Sequence, residues 1–192
     1  MGATKSRMSP ISVQRRRCGY TLVEMLIVVS LIALIAALAA PAINSNDEIK
    51  LDGAAGEVAA LIRFAQAEAI RTGNAYGAIA DTINDTVRAY RLDENPNPPV
   101  IVYDVINPLT KQPYDLKFGS DADDVAVEAA YFKYVNYFFP MSFVGFSGET
   151  GLPKFNDAGT IRMLENGYIR LGSDGQSRTI SVAPVTGRVT IQ

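Results

Sequence analysis

The polar and apolar positions of this chain follow three successive patterns. From Met25 to Ala40 the only polar side chain is Ser30, and extending the run back to Tyr20 gives 21 residues. As a helix rising ~1.5 Å per residue, the run spans about 31 Å, which matches a bilayer core of ~30 Å. A single segment in lipid satisfies its backbone only as a helix, so the run predicts a membrane span. Asn44-Ser45-Asn46-Asp47 follows as a polar break that supplies N-cap residues. A second pattern then places Val58, Leu61, Ile62, Ala65 and Ala69 on one apolar stripe, at helical spacing. Glu57, Arg63, Gln66 and Arg71 fall largely off that stripe, on the wet side. Gly73 sits where an αL cap belongs, while Gly53 and Gly56 weaken the first turns and predict a bend.

From Tyr76 the pattern changes to short β-prone runs between turn residues. Tyr76–Ala80 and Val87–Leu92 flank Asn84-Asp85 as a hairpin, and Glu94-Asn95-Pro96-Asn97-Pro98-Pro99 breaks the chain. Strands are then expected over Val100–Val105, Ala126–Phe139 and Met141–Phe146. Asn166-Gly167, between Thr160–Leu164 and Tyr168–Leu171, is the clearest tight-turn signal. Arg178–Val182 and Arg188–Ile191 close the chain as a last pair around Pro184-Val185-Thr186-Gly187. A long helix followed only by strands predicts an α+β fold. The first half of the helix crosses the membrane and the second packs on antiparallel sheets.

The fate of the apolar run has three readings. It could be a general secretory signal cut near Ala37-Leu38-Ala39, a twin-arginine signal after Arg15-Arg16-Arg17, or a retained helix cut before the run. Glu24 weighs for the third. A carboxylate at depth in lipid costs a few kcal/mol, on the order that a disposable signal has no reason to bear.

Arg17-Cys18-Gly19-Tyr20-Thr21-Leu22-Val23-Glu24 resembles the prepilin cleavage and methylation motif of the type IV pilin superfamily. The resemblance implies cleavage after Gly19 and N-methylation of Tyr20, where the family more often has Phe. Glu24 then falls at the fifth mature position and Pro41 at the twenty-second, both as in the family. It implies a leader over 1–19, a transmembrane segment over 20–41, an amphipathic continuation over 42–75 and a β-rich globular region over 76–192. Cys18 would leave with the leader. Assembly would pair the Tyr20 amine of one subunit with Glu24 of the next, lowering the cost of both charges.

Charge fits that orientation. Residues 1–19 carry five basic residues and no acid, leaving 13 basic against 20 acidic, a net −7, in the remainder. A basic flank marks the cytoplasmic end, and an acidic remainder argues against general affinity for nucleic acid. With no His and one Cys, Ser-His-Asp and Cys-His nucleophiles and His-based metal sites are excluded, as is an internal disulfide. No pair of carboxylates stands out, so no enzyme and no cofactor is expected. Gly119-Ser120-Asp121-Ala122-Asp123-Asp124 alternates oxygen ligands as Ca²⁺ prefers but lacks the glycine and distant Glu of an EF-hand, and reads as a solvated acidic loop.

The stretch from Val58 to Gly73 resembles the helix of the type II secretion minor pseudopilin H group, also called GspH/FimT-like. Arg178 to Val189 resembles that group's closing strands. The resemblance implies a subunit at or near the tip of a short periplasmic filament that supports protein export. Its expected partners are other pilin or pseudopilin subunits, a prepilin peptidase and an inner-membrane assembly platform. The alternative is a FimT-like minor pilin of pilus assembly or DNA uptake. Some such members share a Gly-Arg-x-Arg motif, of which Gly187-Arg188-Val189-Thr190 keeps only the first Arg. Phosphate binding would then fall to a weak local patch of Lys154, Arg178 and Arg188. The stretch 93–140 resembles nothing in the group.

Overall fold

The structure is a computed structural model that describes residues 20–95, 99–119, 124–157 and 159–192; the side chains of residues 37–46 are not described. The chain divides into two compact units, Met1–Pro41 and Ala42–Gln192. Helix α1 (Leu22–Thr72) continues through Asn44–Asp47, where the sequence predicts a polar break. Asn, Ser and Asp cost only a few tenths of a kcal/mol each against Ala in a helix, which the flanking turns override. The helix also runs through Gly53 and Gly56, where the sequence predicts weakened first turns and a bend. Pro41 lacks the N–H for one ladder bond, and the division between the units falls immediately after it.

Within the second unit, α1 buries the stripe that its spacing predicts. Val58, Leu61, Ile62, Ala65 and Ala69 are fully buried, together with Leu51, Ala55 and Ala59. Arg63 and Gln66, expected on the wet side, flank the stripe and reach backbone carbonyls. Arg63 donates to Val189 (3.1 Å) and Gln66 to Gly151 (2.8 Å) and Thr186 (2.9 Å). Gly73 ends the helix at φ 75°, its N–H donating to the Ala69 carbonyl. That is the expected left-handed cap.

Two antiparallel sheets complete this unit. The first contains β1 (Tyr76–Asp81), β2 (Thr86–Asp93), β3 (Val100–Val102), β4 (Asp115–Lys117) and β6 (Phe143–Phe146), in the order β3-β2-β1-β6 with β4 also on β2. The second contains β5 (Ala126–Tyr134), β7 (Lys154–Asp157), β8 (Thr160–Ser173), β9 (Gln176–Val182) and β10 (Val189–Ile191). Its order is β10-β9-β8-β5, with β7 also on β8. The β1–β2 hairpin turns where predicted. Asp81 accepts from the N–H groups of Ile83 and Asn84, and Asp85 takes φ 49°. Asp85 also accepts from the Val127 N–H (2.8 Å), tying this turn to the second sheet.

Asn166-Gly167 is not a turn. Both lie inside the continuous strand β8, opposite Lys133 and Phe132. The Phe132 ring occupies the space where a Cβ on residue 167 would stand, so glycine here permits close packing. The register shifts between Lys133 and Tyr134, which leaves Glu165 as the extra residue of a β-bulge. The two-residue turn is instead Asp174-Gly175, at φ 47° and 79°, joining β8 to β9. The predicted strand Val100–Val105 shortens to β3. The predicted strand to Phe139 stops at Tyr134, where Val135-Asn136 turn with Asn136 at φ 57°.

Side chains from α1 and both sheets share one core cluster, in which Val144, Phe146, Ile169, Leu171 and Ile180 join the helix stripe. Leu61 belongs to this cluster and is fully buried. Leu61→Ala should therefore destabilise residues 42–192 by ~2–5 kcal/mol, read by chemical denaturation. A loss below about 0.5 kcal/mol would show that the stripe is not core.

Candidate assembly and processing site

Tyr20 and Glu24, two of the residues that the sequence singles out, lie at the start of α1. Gly19 and Cys18 lie outside the described residues. Tyr20 and Thr21 precede the helix in non-helical conformation, and Tyr20 is 75% exposed. Thr21 is the N-cap: its Oγ1 accepts from the Glu24 N–H (3.2 Å), and its carbonyl accepts from the Met25 N–H (3.2 Å). Glu24 stands in the first turn, where the partial positive charge of the helix terminus favours a carboxylate. Sequence reasoning placed Glu24 but missed Thr21. The Thr-x-x-Glu spacing of a capping box was the signal.

Around Glu24 the helix presents Leu22, Val23, Met25, Leu26, Ile27 and Val28, all exposed in the single chain. Exposed apolar side chains continue to Leu34 and Ile35. Contiguous apolar surface of this kind is rare in water and marks a surface that another medium or molecule covers. Over the described residues, no helix is long and apolar enough to cross a membrane. Described side chains of the run extend from Tyr20 to Ala36, about 26 Å at ~1.5 Å per residue, which falls short of a ~30 Å bilayer core. Pro41 lies within α1.

The weak basic patch does not come together. Lys154 is on β7 opposite Met163, whereas Arg178 is on β9 opposite Leu171, much further along β8. Arg178 and Arg188 sit at opposite ends of β9, since the Ala183 N–H donates to the Arg188 carbonyl. Arg178 is also engaged, donating to Asp52 (2.6 Å) and Glu48 (3.1 Å). The Asp52 hydrogen bond holds the guanidinium above its ordinary pKa, with Glu48 adding to the effect. Of the acidic loop, Asp121 to Asp123 lie outside the described residues. Among the described residues no cluster of three His, Cys, Asp or Glu could hold a metal.

A family model described as the prokaryotic N-terminal methylation motif matches residues 14–40. The chain therefore carries the N-terminal signal of type IV pilin-like proteins. Two crystal forms of the type IV minor pilin FimU from Pseudomonas aeruginosa PAO1 overlay on it. One gives 15% identity over 76% of this chain and 90% of that one, with a TM-score of 0.42. The other gives 14% identity over 74% and 92%, with a TM-score of 0.40. A likeness that loose carries no weight on function. No curated protein matches the chain.

The ion pairs of Arg178 are open to a direct test. Arg178→Ala should lower the thermal midpoint of residues 42–192, and the loss should shrink as salt is raised. A loss independent of salt would show that Arg178 acts through packing of its stem.

Proposed function

We propose that this chain is a minor pseudopilin. It is cut after Gly19, methylated at Tyr20 and held in the inner membrane by residues 20–41, with residues 42–192 in the periplasm. Its N-terminal helix then carries it into a short filament with other pilin-like subunits. One observation carries this reading. The methylation motif at residues 14–40 takes in the start of a helix whose apolar side chains are uncovered in the single chain. A helix surface that none of the described residues buries suits a subunit that moves from lipid to a bundle of like helices.

Within the pilin-like proteins we assign it to the type II secretion pseudopilin H group. Support comes from the sequences of Val58–Gly73 and Arg178–Val189, which form the buried helix end and the closing strand pair. A minor pilin of DNA uptake is the second reading. The dispersed Lys154, Arg178 and Arg188, with Arg178 already ion-paired, give it less support.

Processing is checked by intact mass and N-terminal sequencing of the membrane form. The expected chain begins at methylated Tyr20 and has lost all of residues 1–19. A chain beginning near Ala40 would instead establish a secretory signal.

Assembly is checked at Glu24. Glu24→Ala removes a charge from an apolar segment, so membrane level and cleavage should hold or improve. Incorporation should fall, because the amine of a neighbouring Tyr20 loses its partner, a loss of ~3–5 kcal/mol for a buried pair. Crosslinking to filament neighbours reads it. Wild-type incorporation of a processed, membrane-resident Glu24→Ala chain would remove Glu24 from the assembly mechanism.

A further inference from the structure

The first sheet has two different faces. Ala78, Ala89 and Val144 stand opposite one another on β1, β2 and β6 and enter the core. Side chains alternate along a strand, so Tyr90 and Phe143 fall on the other face, with Leu92 and its cross-strand partner Ile101. Tyr90 lies flat across Gly77, where a Cβ would meet its ring. Phe155 of β7 packs edge-on against Phe143, with ring centroids 5.6 Å apart, so β7 reaches over this face from the second sheet. Between them lies a cleft of about 900 Å³, with Tyr90, Leu92, Ile101 and Phe143 on one side and Lys154 and Asn156 on the other.

Strand β7 offers this cleft a free backbone edge. The Leu164 N–H donates to the Pro153 carbonyl, and bonded pairs alternate along an antiparallel ladder. Phe155 and Asp157 are therefore the β7 residues bonded to β8, and the N–H and C=O groups of Lys154 and Asn156 point away from it. Among the described residues these groups have no backbone partner. The outer edge of β6 is treated differently. There the Tyr134 hydroxyl donates to the Phe143 carbonyl and accepts from the Gly145 N–H.

A free strand edge beside an apolar floor is the arrangement that takes up an added strand. Charge narrows the choice of strand. Asp157 in the cleft is engaged by Arg162 (2.8 Å), which leaves the exposed Glu94 and Glu149 against Lys154. Residues 20–192 are themselves net acidic, so a second copy of this chain is a poor electrostatic match. We propose that the cleft receives an extended segment of a different, basic polypeptide. The segment pairs with the edge of β7 at Lys154 and Asn156, rests alternate apolar side chains on Leu92 and Ile101, and brings its basic residues to Glu94 and Glu149. This inference concerns residues 42–192 alone and stands apart from the processing of the N-terminus.

The test uses the full chain in phosphatidylcholine nanodiscs, with a library of short synthetic peptides that alternate apolar and polar residues between terminal lysines. Fluorescence anisotropy reads binding. Library members should bind, and Asn156→Pro should weaken the tightest of them about five-fold, the factor for one lost hydrogen bond. That N–H faces away from β8, so proline there removes no bond of the β7–β8 ladder. Asn156→Ala keeps the N–H and should bind like wild type, although it too loses the side-chain bond to the Gly159 N–H. The double variant Glu94→Lys, Glu149→Lys should weaken the same peptide and favour one that ends in glutamates. Failure of every library member to bind wild type overturns the proposal. So does equal binding by wild type and Asn156→Pro, which would leave the cleft an apolar pocket without strand addition. Crosslinks between copies of the chain that Asn156→Pro abolishes would give the cleft to a second copy and overturn it equally.

Discussion

Burial of one face of α1 between Leu51 and Ala69 against both sheets organises the folded unit. Each fully buried Val, Leu or Ile on that face contributes about 1.5–3 kcal/mol relative to exposure. The sheets are short and carry several three-residue strands, and each needs a covered face to persist. The helix supplies that cover for both, which is why residues from β1, β2, β5, β6, β8 and β9 enter one cluster with the stripe. The loops obey the same constraint. Gln66 fastens the backbone at Gly151 and Thr186 to the helix flank, and Arg63 does so for Val189.

The N-terminal part of the same helix has the opposite character. From Leu22 to Ile35 its large apolar side chains are exposed in the single chain. An amphipathic stripe is a device for packing on a sheet, whereas a helix apolar all round suits a medium that is itself apolar. Two helix chemistries therefore share one element, and Pro41 stands at the division between the units.

The parts of this fold legible in the sequence are those with a local cause. The stripe at Val58, Leu61, Ile62, Ala65 and Ala69 follows from helical spacing, and Gly73 follows from its capping position. The β1–β2 hairpin follows from Asn84-Asp85 with Asp81 before it. Asn166-Gly167 misled because its glycine answers to a distant ring, Phe132, which sequence neighbours do not reveal. The short strands β4 and β7 are fixed by their partners β2 and β8 rather than by their own composition. At the candidate site, Tyr20 and Glu24 were readable from the motif. Thr21 was not read, because its role is a hydrogen bond hidden inside a familiar string of residues.

Magnitudes decide what Glu24 is for. In the first turn of a helix a carboxylate gains roughly 0.3–1 kcal/mol from the helix dipole. Within lipid, as proposed for this segment, the same charge costs on the order of a few kcal/mol. The local helix effect is too small to explain an acidic residue among Leu22, Val23, Met25 and Leu26. Thr21 already accepts the Glu24 N–H, so the backbone is capped without the carboxylate. A cost of that size is offset only by an opposite charge brought close in a dry setting. The described residues offer Glu24 no side-chain partner, which suits the pairing with another subunit proposed above. In the assembly proposed above, a second subunit's free amine would supply that charge, and it would exist only after the leader had been removed. The proposed processing and the proposed assembly are thereby linked through one carboxylate: an unprocessed neighbour would lack the amine that makes burial of Glu24 favourable.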